Sequence, residues 1–202
     1  MTTPIGYFQQ MYDASPDPWD FTHRWYDRRK HDLTVASLTR ARYASAFEPG
    51  CSIGSLTERL AARCDRLLAV DAVPEAVAAA AARVAGCGHV TVRPARMPHD
   101  WPDESFDLVV LSEIGYYFDD ADLDLLLAGA VRTLEPGGDL VAVHWRRPVA
   151  EHARPGDEVH ARLAALPELE RVAQHREDDF LLEVFTRVPP AARSVAQREG
   201  LC

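Results

Sequence analysis

The 202-residue chain is 47% hydrophobic and carries a net charge of −9, with 22 Lys and Arg against 31 Asp and Glu. That length and apolar content suit one domain with a substantial core. An acidic chain gains no general attraction to phosphate backbones, so nucleic acid is not expected as a partner. No run approaches the ~20 apolar residues that span a bilayer, so no membrane partner is expected either. Cys51, Cys64, Cys87 and Cys202 are scattered without a C-x-x-C pair. A disulfide framework or a metal site is therefore not expected, and a reducing cytoplasm fits best. The opening MTTPIGYFQQ lacks a charged start followed by an apolar run, so it does not read as a secretory leader.

Residues 2–13 read as a short helix with Ile5, Phe8 and Tyr12 on one face. DASPDPWDF breaks it, and residues 23–40 read as a second helix with Tyr26, Leu33 and Leu38 among its apolar positions. Both precede the first strand, so residues 1–42 are expected as a helical lid or flank on a core of residues 43–188. Residues 45–48 read as a strand, EPGCSIG as a glycine-bearing turn, and Ser55 with Glu58 as a capping box opening a helix. Residues 66–70 follow as a buried strand, with Asp71 at its carboxyl end. Strand, glycine loop, helix, strand and acid make half of a doubly wound nucleotide-binding sheet. The remaining units repeat the alternation: a helix from Pro74, strands over 89–95 and 106–113, a helix over 119–134, and a strand over 139–145. A short helix at GDEVHARLAAL and strands over 169–175 and 180–188 close the pattern, and residues 189–202 are expected as a flexible tail.

The details of the first loop choose the ligand. Gly50 and Gly54 allow a tight turn and a close backbone approach. Asp71 stands at about the spacing from the loop at which an acid meets ribose hydroxyls. The loop is G-x-x-x-G rather than G-x-G-x-x-G, and Glu48 sets a carboxylate at the strand end. A pyrophosphate would be repelled there. A cofactor with an ammonium and a sulfonium would be attracted, which points to S-adenosylmethionine (SAM).

The strand ends line up Glu48, Asp71, Ala95, Glu113 and His144 along one edge. Gly50, Cys51, Ser52, Ile53 and Gly54 also match G-x-S-x-G, the turn of serine hydrolases. Here only helix-like sequence precedes the strand, and no HGGG-type oxyanion segment appears. A binding protein without catalysis on the same fold is the other alternative.

EPGCSIG with Asp71, FDLVVLSEIGYY and LEPGG look like a class I SAM-dependent methyltransferase. DPW, WYDRRKHDLTVASL, LSEIGYY, HWR and GDEVH more narrowly resemble the nodulation protein S group, N-methyltransferases acting on a glucosamine amine of chitin-derived oligosaccharides. The resemblance implies a Rossmann-like seven-stranded sheet in the order 3-2-1-4-5-7-6, the last strand antiparallel. It implies that Glu48, Pro49, Gly50, Cys51, Ser52 and Gly54 surround the methionine part of SAM, and that Asp71 and Ala72 lie at the ribose. Arg96 and Met97 would flank the adenine, and Ser112, Glu113 and Ile114 would line the floor near the sulfur. Arg29 or Lys30 on the second helix is expected at the cofactor carboxylate. An amine acceptor must be neutral at attack, and a base of pKa near 7 serves that need, so His144 and then His160 are the catalytic expectations. Trp19, Tyr26, Tyr116, Tyr117 and Trp145, with Asp157, are expected to meet the acceptor, an amino sugar or another small metabolite methylated on nitrogen or oxygen.

Overall fold

The computed structural model describes residues 1–202. The alternation of apolar strands and amphipathic helices folds as expected into one seven-stranded sheet, in the order β3-β2-β1-β4-β5-β7-β6. Its strands are β1 (Ala46–Pro49), β2 (Leu67–Asp71), β3 (Val90–Pro94), β4 (Phe106–Ser112), β5 (Leu134–Trp145), β6 (Leu169–Arg176) and β7 (Phe180–Arg187). β1 to β5 pair in parallel, and β7 runs antiparallel between β5 and β6. Sequence order reverses between β1 and β4, so their carboxyl ends flank the crevice where such sheets take ligands.

The central strands are apolar on both sides because both faces are covered. Phe47, Val109 and Leu111 point into one core with Leu123, Leu126 and Phe185. Ala46, Leu108 and Val110 point into the other with Leu56, Leu60 and Phe180. Around the sheet lie α1 (Ile5–Ala14), α2 (Trp25–Ala36), α3 (Ser55–Ala61), α4 (Pro74–Arg83), α5 (Asp120–Thr133), α6 (Gly156–Ala164) and a last turn, α7 (Val195–Arg198). α5 is capped as its acidic start suggests: the Asp119 side chain accepts from the Asp122 amide at 3.2 Å.

Four local expectations change. The Ser55–Glu58 capping box does not form. Gly54, at φ +77°, caps α3, so Ser55 is already helical and its buried hydroxyl has no partner. α2 stops at Ala36 instead of Arg40. Beyond it Leu38 turns into the core, and the Thr39 hydroxyl donates to the buried Asp139 carboxylate at 2.5 Å. β5 begins at Leu134 and runs through the EPGG segment. In the expected tail, Ser194 and Gln197 form a reciprocal capping box on α7, and Arg198 lies 3.5 Å from Asp139.

α1 lies across the carboxyl edge of the sheet. The Thr3 amide donates to the Tyr117 carbonyl at 2.8 Å, the Tyr12 hydroxyl lies 2.6 Å from Ser52 Oγ, and Gln9 donates to Glu75 at 2.9 Å. α2 reverses the ordinary helix pattern, burying Asp27, Lys30, His31 and Thr34 while Trp25 stays 66% exposed. A helix that buries its polar side is walling something polar. No helix is long and apolar enough to cross a membrane.

Candidate active site

A cavity of about 700 Å³ opens at the carboxyl ends of β1, β2 and β4, beneath α1 and α2. Its floor is the glycine loop. Gly50 sits at φ +74°, and a Cβ there would lie 2.8 Å from Ile114 Cδ1. Ser52, at φ +51°, also takes the left-handed conformation. The loop holds that shape partly through Asp71, whose Oδ2 accepts from the Ser52 amide at 2.9 Å and whose Oδ1 accepts from the Val73 amide at 3.0 Å. Each Asp71 oxygen keeps a further lone pair for a ligand hydroxyl. Burial raises the Asp71 carboxyl above its ordinary value, and the amides of Val73, Ser52 and Ala72 partly counter it.

Glu48 is buried beside the loop, and its Oε2 has no hydrogen-bond partner in the protein. Burial pushes its carboxyl up to about 8. A buried carboxyl with an unsatisfied oxygen, on a residue that lines the cavity, is the feature a cationic ligand group would satisfy.

Glu113 makes the opposite wall. It stands just past β4 at φ +55°, a conformation a residue with a Cβ adopts only when its surroundings impose it. Lys30 donates to its Oε1 at 2.7 Å, while the Tyr116 hydroxyl at 2.5 Å and the Trp145 amide at 2.9 Å donate to Oε2. Burial by itself would raise this carboxyl, but the Lys30 ammonium and these hydrogen bonds prevail and hold it down to about 2. Lys30 also lies 3.2 Å from Asp27, so one buried ammonium serves two carboxylates and the wall stays net negative. Burial lowers the Lys30 ammonium, but Glu113 and Asp27 together more than restore it, so its pKa is raised.

Three comparisons place this geometry. Residues 8–155 match the family model for nodulation protein S (NodS). The chain belongs to the nodulation protein S family. Within the family it is 35% identical to nodulation protein S of Rhizobium tropici over 130 residues, 63% of this chain and 55% of that one. The corresponding protein of Sinorhizobium fredii is 32% identical, and the match covers 60% of its length. The chain thus spans somewhat over half the length of these two curated relatives. The crystal structure of the N-methyltransferase NodS from Bradyrhizobium japonicum, solved with S-adenosyl-L-homocysteine (SAH), superposes with a TM-score of 0.80 at 27% identity, over 89% of this chain and 97% of that one. A Pseudomonas syringae protein described as a candidate methyltransferase is 46% identical, with a TM-score of 0.72 over 81% of this chain and 100% of that one. The sheet order is that of a Rossmann-like methyltransferase fold, as the family resemblance implies.

Among the residues singled out from sequence, Glu48, Gly50, Cys51, Ser52, Asp71 and Ala72 line the cavity, as do Arg96, Met97, Ser112, Glu113 and Ile114. Trp19, Tyr26, Tyr116, Tyr117 and Trp145 line it too. Pro49 and Gly54 lie behind the loop and shape it; a Cβ on Gly54 would approach the Ala80 Cα to 2.9 Å.

Four expectations are corrected. Arg29 points away and pairs with Glu177 at 2.6 and 3.0 Å, leaving Lys30 as the cation of α2 at the cavity. Asp157 pairs with Arg146 at 2.6 and 2.8 Å outside the cavity. His144 is fully buried behind the wall. Its Nε2 accepts from the Gly115 amide at 3.1 Å and its Nδ1 lies 3.1 Å from His160 Nε2, so neither nitrogen faces the cavity. Burial lowers His144 to about 3. His160, also buried, meets Glu183 at 2.8 Å through Nδ1. Because these histidines bond to each other and Ser52 Oγ meets Tyr12, the hydrolase reading lacks a base at its serine.

Three cavity histidines, His31, His99 and His152, carried no sequence signal. His31 follows Lys30 on α2; its Nδ1 is buried without a partner, and burial lowers the ring to about 3. His152 stacks on Tyr116 at 3.7 Å between ring centroids and lines the cavity mouth. It lies in a loop without periodicity. Only the fold brings it there.

Proposed function

We propose that the protein transfers a methyl group from SAM to an amine of a small acceptor, an amino sugar or chitooligosaccharide-like compound first among them, in the cytoplasm. The observation that carries the cofactor reading is the pairing of Glu48, with its unpartnered oxygen, and Asp71 across one glycine cradle. When bound, SAM supplies an electrophilic methyl on sulfur, and SAH is its product. Glu48 offers a carboxylate to the ammonium, Asp71 receives the ribose hydroxyls, and Met97 offers an apolar face to the base. The net negative wall of Asp27, Lys30 and Glu113 suits a cationic cofactor and an amine acceptor.

Orientation supplies most of the rate in such transfers, about 7–11 kcal/mol in favourable cases. Lys30, Tyr116 and the Trp145 amide hold Glu113 in one position for that purpose. His152 is the histidine placed to take the acceptor's proton. Burial lowers its pKa from the ordinary value, so the ring is neutral near pH 7. The NodS likeness to an N-methyltransferase favours nitrogen over oxygen as the acceptor atom.

Calorimetric titration with SAH, with NAD as the control, tests the cofactor. Binding of SAH, lost in Asp71→Ala, supports the reading, and preference for NAD refutes it. Methyl transfer to glucosamine and short chitosan oligomers then tests the acceptor class.

A further inference from the structure

We propose that His144, His160 and Glu183 form a buried relay that positions the acceptor wall, with no direct part in proton transfer to substrate. The chain of bonds has only one consistent protonation. The Gly115 amide can only donate, so His144 Nε2 must accept. A neutral imidazole carries one proton, which then sits on Nδ1 and is donated to His160 Nε2 at 3.1 Å. His160 Nε2 is therefore an acceptor, its proton is on Nδ1, and it donates to Glu183 Oε2 at 2.8 Å. Were His160 an imidazolium, His144 would have to accept at both nitrogens, which a neutral ring cannot do. The other Glu183 oxygen accepts from Arg171 and Gln174, both at 2.6 Å.

The relay crosses the core from the half-exposed Arg171 on β6 to a backbone amide beside the cavity. All three members are at most 2% exposed. Buried polar residues persist when satisfied, and here every ring nitrogen is used. What the relay holds is the 3-10 turn Gly115–Tyr117. That turn follows the left-handed Glu113 and delivers Tyr116 onto Glu113 and His152, and Tyr117 onto Phe8 of α1. Gly115 is fitted to the contact: a Cβ there would lie 2.6 Å from Val159 and 3.0 Å from His144 Nε2. Strain at Glu113 persists only where neighbours over-determine it. Lys30, Tyr116 and Trp145 do so from the cavity side, and the relay does so from the core side.

The activity arm of the test rests on the methyl-transfer reading, and the spectroscopic arm does not. In ¹⁵N-labelled full-length protein, both His144 and His160 are expected as neutral Nδ1–H tautomers. An Nε2–H tautomer or an imidazolium at either would overturn the relay. His160→Phe keeps the ring volume and removes both bonds. It is expected to speed hydrogen exchange at the Gly115 amide about tenfold or more, and to lower kcat/KM for the acceptor about tenfold or more. SAH affinity should stay within about twofold of wild type, since the turn lies beyond the glycine loop. His160→Gln, whose amide oxygen and nitrogen are spaced like the two ring nitrogens, should restore most of both losses.

Unchanged exchange and turnover in folded His160→Phe would overturn the proposal, as would a loss of SAH affinity equal to the loss of turnover. If that variant does not fold, Glu183→Met, which removes the acceptor for the His160 Nδ1–H, carries the same comparison. A wild-type protein that methylates no amine would defeat the methyl-transfer reading, while the tautomers and the exchange of Gly115 would still decide the relay.

Discussion

Glu48→Gln should make the ligand-free protein more stable at high pH and less able to bind its cofactor. In the native protein the carboxyl is raised by burial to about 8, against an ordinary 4.5. Between those values the native state holds a proton that the unfolded chain has released. Stability contributed by this group therefore falls as pH rises through that window, by about 1.4 kcal/mol per pH unit. The whole interval amounts to about 5 kcal/mol, and water entering from the cavity reduces it to roughly 3–5 kcal/mol. The glutamine side chain fills the same space and never ionises. Urea unfolding at pH 5, 7 and 9 should show the two proteins nearly equal at pH 5, the variant clearly ahead by pH 7, and the gap levelling off above about pH 8. Calorimetry on the wild type at pH 7, run in buffers of different ionisation enthalpy, should show SAH binding release close to one proton, and the substitution should abolish that release. Parallel stability profiles for the two proteins from pH 5 to 9 would refute this account of Glu48.

Further substitutions test the other walls. Lys30→Met strips the counter-charge from buried Glu113 and should destabilise the protein by about 3–5 kcal/mol in urea melts; a loss below about 1 kcal/mol would mean water already solvates Glu113. Gly54→Ala must hold a Cβ at φ +77° and 2.9 Å from the Ala80 Cα, so a loss of about 2–4 kcal/mol is expected. Gly50→Ala carries the same left-handed strain, at φ +74°, but meets the Ile114 side chain at 2.8 Å instead of backbone, so it should cost less stability than Gly54→Ala while weakening SAH binding, read by calorimetry. His152→Ala should lower kcat/KM for an amine acceptor by about a hundredfold; turnover within about twofold of wild type would mean that His152 is not the base.

The class of fold was legible in sequence because its signals are local. Apolar runs at β1, β2, β4 and β5 alternate with helices of helical period, and that order implies a parallel doubly wound sheet. The glycine loop, Glu48 and Asp71 were legible for the same reason: a tight turn and an acid at a strand end depend on neighbours a few residues away. Side-chain direction and cross-fold meetings were not. Arg29 and Lys30 are adjacent on one helix, and only the packing of α2 decides that Lys30 faces Glu113 while Arg29 turns out to Glu177. His144 sits at a strand end just as a catalytic residue would, yet strand residues alternate between faces, and its face is closed by α6 and His160. His152 has no pattern around it and reaches the cavity by stacking on Tyr116, a residue 36 positions away that only the folded chain places beside it. Local sequence thus determined the scaffold and the glycine loop with its flanking acids, whose geometry is set by backbone neighbours. Tertiary packing decided which charges and histidines face the cavity, because burial and pairing are set by residues distant in the chain.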